Sequence, residues 1–137
     1  MSDIVAIVRG VYEAFDRGDV AAVLGAFDER IEWLEAVGFL YADGNPYKGP
    51  QAVAEGVFQR ILADVENVAL SRRHLIGGQD AVVVEGRYTG RMRATGTPLD
   101  AQFAHVWRLR NGRVVAFQQY TDTHQWSVAA GVSALGA

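Results

Sequence analysis

The sequence has no cysteine, which excludes a disulfide framework, thiolate catalysis and cysteine-ligated zinc at the outset. It has no run near ~18 consecutive apolar residues, and its first residues lack a basic stretch followed by a long apolar one. A membrane span and a signal peptide are therefore not expected, and a cytoplasmic protein is. Basic charge is scarce as well: 13 Lys and Arg stand against 16 Asp and Glu, for a net charge of −3. Without a basic stripe to neutralise phosphates, a nucleic-acid partner is not expected. The densest basic stretches, Arg72-Arg73 and the spaced Arg87, Arg91 and Arg93, alternate with apolar and small residues, as solvated strand faces do. The three histidines, His74, His105 and His124, match no zinc spacing. A nucleophile elbow, a phosphate-binding loop and a dinucleotide fingerprint are also missing. No metal and no organic cofactor is expected.

What remains is a chain of 137 residues, 50% of them hydrophobic, which suits a single domain around one core. Ile4, Val8, Val11 and Phe15 recur at helical spacing, with Val5 and Tyr12 widening the stripe and Ser2-Asp3 placed to cap it. "RGD" at Arg17 to Asp19 reads as a helix end and the cap of a short second helix, Val20 to Phe27. The strand "RIEWLEAVG" follows, then a loop rich in Gly, Pro, Asn and Asp. A third helix starts near Pro50, with Val53, Val57, Phe58, Ile61 and Leu62 as its apolar stripe. From Val65 the period becomes two, over four runs broken by turn residues, including the Asn111-Gly112 hairpin signal. The expected class is α+β, with helices gathered on one face of a curved antiparallel sheet. No internal boundary divides residues 1–137. The tail from about 125 to 137 is small and weakly patterned, and fraying is expected there.

Alternation assigns the residues that can carry chemistry. Ile31, Trp33 and Glu35 share one strand face. Glu35 is either a rim carboxylate or an acid held in an apolar pocket. Phe103, His105, Trp107 and Leu109 share another inner face, where His105 is either a core histidine or a pocket acid or base. In the last run Val115, Phe117, Gln119 and Thr121 point inward and Asp122 outward. Capping or interface work for Asp122 then stands beside a catalytic role. Val82, Val84 and Tyr88 form one set around Gly86, and a glycine inside a strand marks a bulge or a close approach. Tyr41 and Tyr47 lie in the long loop, either at a pocket mouth or packed on the third helix.

The segments "RGD", "AFDERIEWLE", "YKGPQAVAEGVFQRI" and "FAHVWRLRNGRVVAFQQYTDT" resemble the nuclear transport factor 2-like superfamily over residues 4 to 124. Within it they look most like the SnoaL-like, ketosteroid-isomerase-related proteins of bacteria. The resemblance implies a cone-shaped α+β roll with an internal pocket, and a homodimer. It also implies Glu35 at the carboxylate-base position, facing the cavity beside Trp33 with its pKa raised by desolvation. It places Val11 at the oxyanion-tyrosine position, with Tyr12 rotated about 100° from it, and His105 at the oxyanion-acid position. SnoaL-type cyclases imply a pocket histidine, His105, and an acid near the end of the last strand, Asp122. Trp33, Tyr41, Tyr47, Phe58, Tyr88, Phe103, Trp107 and Phe117 would then hold a small apolar or aromatic ligand, oriented by Gln119. Two readings follow. In one, Glu35 removes a proton beside a carbonyl in an isomerase or cyclase. In the other, the same pocket binds a small molecule without catalysis.

Overall fold

The computed structural model describes residues 3–132. Helix α1 (Ile4–Asp16) starts where the Asp3 carboxylate accepts from the backbone N–H groups of Val5 and Ala6, and it buries Val8, Val11 and Tyr12. Ser2, the other proposed cap, lies outside the described residues. Asp19 caps α2 (Val20–Gly25) through Ala22 N–H, so "RGD" is the expected turn between helices. Strand β1 (Phe27–Leu34) then leads through the loop to β2 (Tyr47–Lys48). The third helical region is continuous but not uniform. It comprises α3 (Pro50–Val53), a π-helical stretch (Ala54–Phe58) and α4 (Gln59–Asp64).

Strands β3 (Val65–Gly77), β4 (Ala81–Met92), β5 (Pro98–Arg110) and β6 (Arg113–Thr121) form the antiparallel meander that the period-two runs call for. The sheet order is β2-β1-β6-β5-β4-β3. Its one departure from the expected antiparallel pattern is the pair β1 and β6, which run parallel. Alternation within a strand fixes which face is buried but not the direction of the neighbour. The helices cover the concave face, and the core lies between them and the inward residues of β1, β4, β5 and β6.

Three local features differ from expectation or explain it. Alternation along the last run places Val115 inward. The ladder instead pairs Leu109 with Val114 and Arg108 with Ala116, so Val115 is the extra residue of a bulge and Val114 takes the buried place. Gly86 is the close approach its position suggested, since a Cβ there would lie 2.0 Å from the Ser71 carbonyl oxygen and 2.7 Å from the Phe103 ring. The tail does not fray at 125. Asp122 caps a further helix, α5 (Thr123–Ala130), which is pinned by the fully buried Trp126 and Ala129 and ends at Gly131 in a left-handed conformation. Residues 133–137 of that expected tail lie outside the described residues. Among the described residues no helix is long and apolar enough to cross a membrane.

Candidate functional site

Helix α1, the π-helical stretch and strands β1, β3, β4, β5 and β6 enclose a cavity of about 50 Å³. Most of its wall is apolar, with Val11, Phe15, Val57, Phe58, Ile61 and Leu70 on the helical side and at the β3 edge. Across from them, Trp33 stacks on Phe117 at 3.6 Å between ring centroids, and Trp107 packs edge-on against both. Five polar side chains reach this wall: Tyr12, Glu35, Tyr88, His105 and Gln119. A π-helical turn adds one residue to the helix and so re-aims its neighbours. Here it turns Val57 and Phe58 onto the cavity.

Glu35 stands just past the end of β1, on the same face as Ile31 and Trp33, and only 2% of it is exposed. Trp33 Nε1–H donates to Glu35 Oε1 at 3.3 Å, while Oε2 has no hydrogen-bond partner among the described residues. Burial pushes the Glu35 carboxyl up to about 8, and the Trp33 bond only partly opposes this. The choice between rim and pocket is thereby decided for the pocket. The backbone at this point is held from the loop. Asn45 Oδ1 accepts from Glu35 N–H at 2.9 Å, and Asn45 Nδ2 donates to Glu35 C=O at 2.8 Å.

His105 sits opposite Val84 on β4 and opposite Gln119 on β6. It is 2% exposed, and Phe103 stacks on it at 4.0 Å. Both ring nitrogens are taken: Tyr12 Oη lies 2.6 Å from Nδ1 and Tyr88 Oη 2.5 Å from Nε2. Burial pulls its pKa down to about 3, so the ring is neutral near pH 7. A chain of hydrogen bonds passes through it. Trp107 Nε1–H donates to Tyr12 Oη at 2.9 Å, and Gln119 Nε2–H donates to Tyr88 Oη at 2.8 Å. Gln119 Oε1 accepts from Ala36 N–H at 3.1 Å, which ties the chain to the backbone beside Glu35. Both tyrosine hydroxyls are held far above their ordinary pKa by burial, and Glu35 adds to this at Tyr88.

The structure therefore gathers Glu35, His105, Trp33, Phe58, Tyr88, Trp107, Phe117 and Gln119 around one cavity. Glu35 and His105 make no hydrogen bond to each other. Phe103 backs His105 from outside the cavity wall. Besides Phe103, three expected site residues lie away from the cavity. Asp122 is the α5 cap, accepting from Gln125 N–H at 3.1 Å, and it borders a groove on the opposite sheet face. It points outward by strand parity, and no bulge brings it back. Tyr41 packs on Phe39 and Trp126 and donates to Asp64 at 2.7 Å. Tyr47 donates to the Tyr41 carbonyl at 2.6 Å, and its ring fills the space a Cβ on Gly44 or Gly56 would need. Both tyrosines brace the loop.

Tyr12 is the residue the family position obscured. The resemblance put Val11 at the oxyanion position, yet both side chains line the cavity and only Tyr12 brings a hydroxyl. Its signal was present in the apolar stripe, because a tyrosine on a buried helix face needs a partner for its hydroxyl. Asn45 carried no comparable signal. Among the described residues, no group of three or more His, Asp or Glu is placed to hold a metal ion.

Residues 8–117 match the SnoaL-like domain family. A nuclear transport factor 2-like protein of Burkholderia thailandensis is 34% identical, with a TM-score of 0.89 over 94% of this chain and 98% of that one. Another from Burkholderia pseudomallei, of unknown function, is 28% identical, with a TM-score of 0.86 over 95% and 98%. TerC, crystallised with polyporic acid, is 22% identical with a TM-score of 0.84 over 95% and 99%, a likeness of fold. No curated protein matches the sequence.

Proposed function

Because the chain belongs to the SnoaL-like domain family of the nuclear transport factor 2-like superfamily, we propose that its cavity moves a proton next to a carbonyl group, as an isomerase or cyclase does. The observation that carries this reading is the Glu35 carboxyl, buried in an apolar cavity with Oε2 unpartnered. In its ionised form Glu35 takes a proton from the carbon beside the carbonyl. The C–H electron pair forms the enol double bond, and charge gathers on the oxygen. A tyrosine hydroxyl of the His105 chain donates to that oxygen, where a preorganised donor in a dry site acts most strongly. The proton then returns to the same carbon or another one, or the enol carbon attacks a second carbonyl. No electrons leave the substrate in either course.

The cavity, at about 50 Å³, favours a compact ligand or the head of a longer one. The SnoaL-like family and the crystallisation of TerC, of the same fold, with polyporic acid support a carbonyl-bearing ligand. The test is α-deuteration of cyclopentanone in D₂O, followed by proton NMR. Wild type should exchange the α-protons above the buffer rate, and Glu35→Gln should lower that excess at least about 10²-fold, the usual scale of a general base. Binding without exchange in either protein would favour the second reading, a non-catalytic ligand-binding module. That reading has its own support, since both nitrogens of His105 are already occupied within the protein.

A further inference from the structure

The chain Trp107–Tyr12–His105–Tyr88–Gln119 can be counted proton by proton. Gln119 is fixed in orientation, because Oε1 faces Ala36 N–H and a flipped amide would set donor against donor. Its NH₂ group therefore donates to Tyr88 Oη, as the Trp107 indole donates to Tyr12 Oη. Neither donor can accept a proton in return. The remaining contacts are the two between tyrosine hydroxyls and the imidazole. A neutral imidazole has one N–H and one bare nitrogen. Two hydroxyl protons and one ring proton thus serve two contacts, and one proton is left over.

The location of that proton follows. If the ring carries its proton on Nε2, it donates to Tyr88. Tyr12 then donates to Nδ1, and Tyr88 already accepts twice, so its own O–H has no acceptor. If the ring carries its proton on Nδ1, the roles reverse and Tyr12 holds the idle O–H. Among the described residues neither hydroxyl has another acceptor. Both tyrosines line the cavity.

We propose that the Tyr12–His105–Tyr88 chain always presents one idle tyrosine O–H, that the His105 tautomer selects which tyrosine offers it, and that the cavity therefore takes a ligand with an uncharged acceptor oxygen. This deepens the reading of the cavity as a carbonyl site and rests on it for the ligand's location. The donor is interchangeable between two positions, so loss of one tyrosine does not remove it. With the ligand oxygen bound, Tyr88 donates to it in Tyr12→Phe and the ring donates to Tyr88 from Nε2. In Tyr88→Phe it is Tyr12 that donates to the ligand, and the ring donates to Tyr12 from Nδ1.

The test compares cyclopentanone with methylenecyclopentane, which has the same shape without the acceptor oxygen, by NMR titration at pH 7. Histidine is labelled with ¹⁵N, so that the His105 tautomer is read from the two ring-nitrogen shifts. Wild type should prefer cyclopentanone by about tenfold, the scale of one hydrogen bond. Each single variant should keep most of that preference, with opposite His105 tautomers in the two complexes. The double variant should lose the preference while still binding methylenecyclopentane. A preference abolished by one single variant alone, or one tautomer in both complexes, would overturn the proposal. Should the double variant not fold, the opposite tautomers of the single variants decide alone. None of these readings depends on turnover. Opposite tautomers without α-deuteration would sink the proton-transfer reading and leave this one standing, and the reverse result would do the opposite.

Discussion

Replacing Glu35 with glutamine should make the protein more stable, by an amount that grows with pH. The carboxyl ionises at about 8 when folded and at the ordinary value of 4.5 when the chain is open. Between those values the folded state holds a proton that the unfolded state has released, so stability falls as pH rises. Glu35 thus contributes fully below pH 4.5, and its contribution is lost as pH rises towards 8. At 1.36 kcal/mol per decade, full ionisation costs about 5 kcal/mol, of which roughly 3 is already lost at pH 7. That is a large fraction of the ~5–15 kcal/mol that holds a domain together. Glutamine keeps the acceptor for Trp33 and cannot ionise.

The stability difference between Glu35→Gln and wild type should be flat below pH 4.5, rise in the variant's favour up to pH 8, and level off above it. Urea unfolding followed by tryptophan fluorescence at four pH values would measure it, since Trp33, Trp107 and Trp126 are all buried. Subtracting the two curves removes the titrations the proteins share. His105 is one of these: with its pKa lowered to about 3, it loses stability as pH falls below 6.5. A difference that stays flat from pH 4.5 to 8, or that turns towards wild type, would refute the buried, partnerless carboxyl.

Two further variants test what holds the site. Asn45→Ala removes both side-chain bonds to the Glu35 backbone and should cost about 1–3 kcal/mol. It should also admit water to the carboxyl. In wild type, kcat/KM for α-deuteration should rise with pH through a midpoint near 8, as the base form of Glu35 appears. In Asn45→Ala that midpoint should move down, and an unmoved midpoint with reduced rate would mean Asn45 serves the loop alone. Gly86→Ala forces a methyl group to within 2.0 Å of the Ser71 carbonyl and should cost about 2–3 kcal/mol by thermal unfolding, on the scale of overpacked cores. A loss below ~0.5 kcal/mol would show that β3 yields there at little cost.

The residues legible in the sequence are those whose position depends on one element's own period. Trp33 and Glu35 are two apart on β1, and Phe103, His105 and Trp107 alternate on β5, so parity alone carried them inward. Gln119 followed from Phe117 by the same rule, even though the Val115 bulge resets the strand two residues earlier. Asp122 points outward by that parity, and of the two roles the last run allows it, capping and catalysis, the structure shows the cap. What the sequence did not disclose depends on how separate elements meet. Tyr12 reaches Nδ1 because α1 crosses the sheet at the height of His105, 93 residues further along the chain. Asn45 reaches Glu35 because the loop folds back over the end of β1. The hydrogen-bonded chain joins α1, β4, β5 and β6 at five side chains. No period within any one of them encodes the count of its protons. That count, one more proton than the imidazole contacts can use, belongs only to the assembled fold. On the proposed reading, a buried histidine with no free nitrogen thereby sets which tyrosine hydroxyl is left to donate to a ligand.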